Sequence, residues 1–299
     1  VILKVEDIQK SYKKERVLET ISFEIHKPQI LALIGPNGSG KSTLLNIITN
    51  LLHADHGGVT ILGKNNTDPT IFKEISFMQD TSVLYDYLTG YDHLQFIADA
   101  QALPKTRIEE TAQRIGNAPY LNKRVKNYSL GMKQHLLLAM AVINRPKLLI
   151  LDEPLNGLDP TSAIRIRELL LQLEKEGTAI LLSSHNLGEI DRVTSNILFL
   201  KNGRLIKEEL SLFELVHYFI TVDQPSLAMK TLEKHQMPIT IENHQLKFPD
   251  KDRLLHNVLE ILQAHDIEIL GIEQRKTGSE QRYRKIFADK DDPHAAFQV

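Results

Sequence analysis

Cysteine is absent from this 299-residue chain, which excludes a disulfide framework and any thiolate-ligated metal site. That absence suits a reducing compartment without requiring one. Long apolar runs are missing too. The richest stretch, residues 136–143, is interrupted by Arg145 and Pro146 and falls short of the roughly 18 residues of a membrane-spanning helix. Nor is there an excess of charge of one sign. Lysine and arginine total 36 against 38 acids, a formal net charge of -2, so bulk charge does not direct the chain to nucleic acid or anionic lipid. Residues 1–8 alternate like a strand and lack the basic-then-apolar layout of a signal peptide. The expectation is a cytoplasmic protein without a membrane span of its own. Its length allows a well-buried core and points to two domains.

What is present concentrates first in residues 35–43: Gly35, Pro36, Asn37, Gly38, Ser39, Gly40, Lys41, Ser42 and Thr43. The run fits the phosphate-binding pattern GxxxxGK[ST], led by an apolar strand (residues 30–34) and followed by an apolar-periodic helix (Leu44, Leu45, Ile47, Ile48, Leu51). Glycines let backbone N–H groups curl around a phosphate, and a helix N-terminus adds partial positive charge. Lys41 is placed to reach the β- and γ-phosphates of a nucleotide and the Ser42 hydroxyl to ligate Mg²⁺. Nucleotide binding is the implied chemistry.

Further along, short strand candidates (residues 59–62 and 75–78) precede a mainly helical stretch, 91–118, which breaks near Leu103 and Pro104. A helix at 130–143 follows, then the all-apolar strand 148–151, a helix at 162–176, a strand at 178–183, and a strand at 197–201 closed by the Asn202-Gly203 turn. This alternation is that of an α/β domain. The texture changes near Ser211. Beyond it, strand candidates at 218–222, 239–241, 245–248 and 267–272 alternate with helices at 225–235 and 253–265, a β-α-β-β-α-β order that fits a small two-layer α+β domain. The tail from Gln274 is polar. Its basic residues Arg275, Lys276, Arg282, Arg284 and Lys285 are interleaved with Glu273 and Glu280 and lack an aromatic run, which argues against nucleic-acid work.

Strand 148–151 ends in Asp152 and Glu153. Beside a phosphate loop, Asp152 suits Mg²⁺, usually through water, and Glu153 suits polarising an attacking water. The bland alternative is that both acids only cap the turn before Pro154. Two adjacent carboxylates near triphosphate charge call for a cation, which favours the functional reading.

With these motifs in this order, residues 2–210 resemble the ATP-binding cassette (ABC) subunits that power membrane transporters. Tyr128-Ser129-Leu130-Gly131-Met132-Lys133-Gln134 is similar to the family signature, in a variant found in drug- and peptide-export cassettes. The resemblance implies a P-loop NTPase fold with an antiparallel β-subdomain, a helical subdomain at about 91–145 and an accessory domain at 211–299. It implies that Ser129 and Gly131 contact the γ-phosphate held by a partner subunit, that Tyr12 stacks on adenine, that Asp159 orients groups across a dimer interface, and that His185 touches the γ-phosphate. From the residues alone, Ser129 reads as an ordinary helix cap and Tyr12 as a core or sheet-surface tyrosine.

The family places a glutamine after strand 75–78, contacting Mg²⁺ and the membrane partner. Gln79 has that chemistry, but the count back from Leu84-Tyr85 and Leu88-Thr89-Gly90 puts Asp80 in the slot; register favours Asp80, and Gln79 stays open. His135 stands where this branch usually has arginine, and Leu155 where it has threonine. The activity implied is hydrolysis of ATP to ADP and phosphate by a homodimer, with Lys41, Glu153 and His185 as catalytic groups. It would power a separate transmembrane permease from the inner face of the cell membrane, with a drug, peptide or bacteriocin exported. Docking is expected around residues 79–87 and 91–98, with Tyr85, Tyr87 and Tyr91 as contacts or plain surface residues. The rivals are a soluble cassette acting on ribosomes or nucleic acid, and a nucleotide-gated regulator with little turnover.

Overall fold

Five consecutive apolar residues, Ile30–Ile34, form a strand (β3) buried along its whole length, which requires cover on both faces. In the computed structural model that cover comes from helices on one side and a second sheet on the other. The description extends over residues 1–13, 15–209, 216–235, 237–242, 244–250 and 254–276, with Tyr283, Ile286 and Phe287. The boundary expected near Ser211, the helix start at Arg253 and the basic side chains Arg282, Arg284 and Lys285 lie outside these residues. The chain divides into two compact units, Val1–Glu209 and Leu210–Val299.

In the first unit, β1 (Leu3–Tyr12), β2 (Glu15–Ile25), β4 (His56–Ile61) and β5 (Lys64–Asn65) make an antiparallel sheet of order β2-β1-β4-β5. The second sheet has six strands in the order β10-β9-β3-β8-β7-β6, formed by β6 (Ile75–Met78), β7 (Leu148–Leu151), β8 (Ala179–Ser184), β9 (Asn196–Lys201) and β10 (Arg204–Glu209) around β3. All its pairings are parallel except the β9–β10 hairpin. The two sheets share one core with α1 (Lys41–Ile48), in which Leu3, Val5 and Ile21 meet Leu33, Leu44, Leu45 and Leu181. The resemblance and the observed architecture agree on the P-loop cassette fold with mixed sheet and helical parts.

Helices α2 (Gly90–Ala100), α3 (Thr106–Ile115) and α4 (Leu130–Val142) pack on one another. The capping box of Thr89 and Asp92 opens α2, and Gly116, at φ 85°, closes α3. The sequence ran this stretch to 118; the left-handed glycine ends it earlier. Conversely, β1 continues past Ile8 to Tyr12. Register shifts after Val5 and Ile8, with Asp7 at φ 50°, re-phase the side chains and break the alternation that the sequence shows. Helix α5 (Pro160–Lys175) begins two residues earlier than its amphipathic pattern, because Asp159 caps it and Pro160 fits its first position. A single turn, α6 (Leu187–Ile190), precedes β9.

The second unit holds β11 (Val216–Val222), α7 (Pro225–Lys234), β12 (Thr240–Glu242), β13 (Gln245–Pro249), α8 (Leu254–Ala264) and β14 (Ile269–Lys276). Its sheet has the order β12-β13-β11-β14, antiparallel at every pairing. One face packs on both helices through Ile220, Leu246, Phe248, Leu232, Val258 and Leu262. This is the split β-α-β arrangement that the element order suggested.

Candidate active site

Parallel register aligns the chemistry. Leu151 pairs with Leu182 and Ile34 with Ser184, so Gly35, Asp152 and His185 emerge together at the C-terminal edge of β3, β7 and β8. Open α/β sheets bind ligands at this edge. The loop after β3 turns sharply through Gly38 (φ 79°) and Gly40 (φ 98°), conformations that glycine adopts without strain. At Gly35 a side chain has no room: an added Cβ would lie 2.5 Å from Ser39 Oγ and 2.7 Å from the Leu200 carbonyl oxygen. Asn37, Gly38 and Ser42 are exposed, Thr43 is half-buried, and Pro36 is exposed at the loop's start.

Lys41 heads α1, and its side chain is buried at 6% exposure. Its ammonium donates to the Gly35 carbonyl at 2.8 Å and lies 3.5 Å from Glu153 Oε1. Glu153 Oε2 in turn stands 3.0 Å from His185 Nδ1 and accepts from the His185 N–H at 3.3 Å. The structure therefore joins three residues from three segments into one chain of polar contacts: Lys41, Glu153, His185. Glu153 holds φ 50°, an uncommon backbone state for a non-glycine residue. Ser183, fully buried, keeps it there: its Oγ accepts from the Glu153 N–H at 2.9 Å and donates to Asp152 Oδ1. Sequence analysis did not single out Ser183. Its signal was the alignment of two strand ends, a hydroxyl residue level with the acid on the neighbouring strand.

The residues fit a magnesium nucleotide. The glycine turns leave backbone N–H groups along the loop, and Ser39 Oγ is buried with no partner among the described residues. The Ser42 hydroxyl is exposed, and Ser183 engages only one oxygen of Asp152. These two side chains, both hard oxygen donors, are suited to Mg²⁺.

A second cluster forms away from Lys41. Ser129 caps α4 by accepting from the Met132 N–H at 3.2 Å. Asp159 caps α5, accepting from the Thr161 and Ser162 N–H groups at 3.0 and 3.1 Å and from the Ser162 hydroxyl at 2.6 Å. These bonds, the Ser162 hydroxyl first, hold the Asp159 carboxyl below its ordinary range. A Cβ at Gly131 would lie 3.5 Å from Ser162 Oγ and 3.7 Å from Asp159 Oδ2, so the two helix starts lie close together. Among the described residues, no hydrogen bond or ion pair joins this cluster to Lys41 or Glu153.

Tyr12 is 46% exposed at the tip of the β1–β2 hairpin, with Lys10 Nζ 5.8 Å from its ring centre. The same hairpin meets the phosphate loop through Val17, whose Cγ1 would lie 2.9 Å from a Cβ at Gly40. Asp80 is exposed, and its carboxylate caps the turn at Thr81–Val83. The Ser82 hydroxyl and N–H, the latter at 2.7 Å, hold that carboxyl below its ordinary value. Gln79 follows Met78, which pairs with Leu151, and lies half-buried beside a groove of about 250 Å³ with Phe72, Val83, Ile97 and Met140 on its walls. Nearby Tyr85, Tyr87 and Phe96 are 58%, 68% and 70% exposed. No helix among the described residues is long and apolar enough to cross a membrane.

Comparison with known proteins gives a consistent picture. Residues 18–156 match the family described as ABC transporter. The chain is 32% identical over 294 residues to the ABC transporter ATP-binding protein YhcH of Bacillus subtilis, covering 95% of both. It is 30% identical over 296 residues to the bacitracin transport ATP-binding protein BcrA of Enterococcus faecalis, covering 95% of this chain and 96% of that one. A solved ATP-binding subunit of an ABC transporter superposes with a TM-score of 0.65 at 31% identity, over 71% of this chain and 91% of the other.

Proposed function

The chain belongs to the ABC transporter ATP-binding proteins, and from that membership we propose that it hydrolyses ATP to drive export of an antibiotic, drug or antimicrobial peptide through a separate membrane subunit. The observation that carries the reading is the Lys41–Glu153–His185 chain at the mouth of the phosphate loop. Support for an antibiotic or peptide cargo comes from the bacitracin transport relative, whose match runs through both units.

The reaction transfers the terminal phosphoryl group of ATP to water, giving ADP and phosphate. Backbone N–H groups of residues 38–42 and the Lys41 ammonium stabilise the negative oxygens of the transferring group. Glu153 orients the attacking water and receives its proton; His185, hydrogen-bonded to Glu153 Oε2, fixes that carboxylate's direction. Ser42 and Asp152 would hold Mg²⁺, which when bound would neutralise phosphate charge. Tyr12 offers a flat ring to adenine, a contact that gives affinity with little base selectivity.

Ser129 and Gly131 lie with Asp159 rather than with Lys41, so they serve a nucleotide on a second copy. Two chains head to tail would make two complete sites and close around ATP. For the glutamine slot, the half-buried Gln79 beside the groove supports one assignment, and the exposed Asp80, whose Oδ1 caps the next turn, stays the alternative. The permease docks at that groove and the exposed Tyr85, Tyr87 and Phe96, holding the protein at the inner membrane face.

The test compares ATP turnover of the parent and Glu153→Gln, with nucleotide binding measured separately. Loss of about 10²-fold or more in turnover with binding retained is expected for a general base. Equal rates in both proteins overturn the catalytic assignment. Turnover that never responds to a copurified membrane partner overturns coupling to transport.

A further inference from the structure

One buried histidine lies outside the chemistry just described. His135 sits in α4, one turn beyond Gly131 on the same face, and is only 8% exposed. Its Nδ1 is 3.2 Å from Tyr120 Oη, while its Nε2 is buried with no partner among the described residues. Tyr120 packs edge-on against Tyr128, with ring centres 5.2 Å apart. Tyr128, the residue before the Ser129 cap, donates its hydroxyl to the Tyr120 carbonyl at 2.8 Å. His135 is thus tied to the residue that leads into the helix cap.

On its other side, His135 faces α5. It borders a cavity of about 280 Å³ with Leu138, Arg165, Ile166, Leu169 and Gln172. Two rungs of α4 look toward α5: Gly131 lies near Ser162 and Asp159, and one turn on His135 and Leu138 share the cavity wall with Ile166 and Leu169. A rigid helix carries any displacement at one rung to the next.

The charged groups facing this imidazole are few. From α5 come Arg165, Glu168 and, at its cap, Asp159; from α3 comes Arg114, itself bound to Glu176 at 2.8 and 2.9 Å. Tyr120, from the turn Ala118–Tyr120, stays neutral, its pKa pushed up to about 12 by burial. Burial first, then Arg165, hold the imidazole below its ordinary value of 6.5, and Asp159 opposes them. A protonated ring would need acceptors on both nitrogens and would find, among the described residues, the Tyr120 hydroxyl alone.

We propose that neutral His135 is a positioning residue that seats the Ser129–Gly131 end of α4 against the Asp159 loop, and that its protonation unseats that end and slows ATP turnover. The proposal rests on the ATPase reading for its kinetic arm only. Because the folded protein holds the ring's affinity for protons down, the stabilisation it provides is present at neutral pH and lost as pH falls.

The test uses the full chain at pH 5 to 8, comparing the parent, His135→Gln and Arg165→Gln, each normalised to its own rate at pH 7.5. Glutamine cannot take up a proton and can still bond Tyr120. The parent should show an acid limb approaching about a tenfold loss per pH unit; His135→Gln should shift it to lower pH or abolish it; Arg165→Gln should move it to higher pH. A second readout needs no turnover. In NMR spectra the Gly131 amide should shift with the same titration curve as the His135 ring, and that curve should move up in Arg165→Gln. Superimposable rate profiles for parent and His135→Gln overturn the proposal, as does a Gly131 amide indifferent to the ring's titration. If the parent turns over no ATP at any pH, the function reading fails and the amide titration decides this one.

Discussion

Replacing Ser183 by alanine removes one oxygen atom and two bonds at once. The side chain is fully buried, so water does not readily replace what is lost. The Glu153 N–H, bonded to Ser183 Oγ at 2.9 Å, becomes a donor without a partner, at a cost of about 1–3 kcal/mol. The Asp152 carboxylate loses a hydrogen bond of the charge-assisted kind, worth about 1.5–3 kcal/mol, part of which solvent restores because Asp152 is half-buried. The sum is about 2–4 kcal/mol. Glu153 is held at φ 50°, a conformation that surroundings must impose at a cost of about 1 kcal/mol or more. Freed of Ser183, it relaxes toward ordinary backbone angles and carries its carboxylate off Lys41 and His185. Stability is best read by far-UV circular dichroism in urea, since the chain has no tryptophan. Turnover should fall with little change in KM, the pattern of an interaction needed in the transition state. An alanine variant within about 0.5 kcal/mol of the parent and with unaltered kcat would refute the claim that Ser183 holds the two acids.

Two further outcomes test the surroundings. Burial pushes both Tyr120 and Tyr128 from 10.0 up to about 12, so these two should ionise above the ordinary tyrosine range in an ultraviolet titration at alkaline pH. Their folded values lie above the unfolded one, so the stabilisation is complete below about pH 10 and disappears toward pH 12; eight tyrosines titrating together in the folded protein would contradict it. In the second unit, Phe248 is 1% exposed among Ile220, Leu246, Val258 and Leu262. Phe248→Ala should cost about 3–5 kcal/mol there while nucleotide binding by the first unit persists, and concerted loss of both would refute separate cores.

The sequence revealed most where one physical constraint dominates. Apolar runs such as Ile30–Ile34 and Leu148–Leu151 have no stable place except inside a parallel sheet, and the glycine-rich loop between strand and helix has few structural solutions. The order of elements in the second unit similarly left few topologies. What stayed hidden depends on cross-chain register or on backbone states. The bulges in β1 erase its alternation, the Gly116 cap shortens a helix without breaking its pattern, and Ser183 matters only because parallel pairing sets it beside Asp152. Ser129, Gly131 and Asp159 illustrate a third case. Ser129 and Asp159 are helix caps and Gly131 follows inside α4; what sets them apart is that Gly131 lies close to the Asp159 cap, a fact of packing between α4 and α5.

The same packing view bears on how binding and chemistry are linked. Lys41 is an ammonium at 6% exposure, and a buried cation must be matched by acceptors. Here they are the Gly35 and Pro36 carbonyls, at 2.8 and 3.4 Å, and Glu153 Oε1 at 3.5 Å. Phosphate oxygens would compete for that ammonium, and they carry more negative charge than a single carboxylate. Glu153 is therefore the partner most readily displaced, because it is the most distant of the three and can still keep His185. Displacement at Lys41 would thus couple phosphate binding to the position of Glu153 through a contact of 3.5 Å.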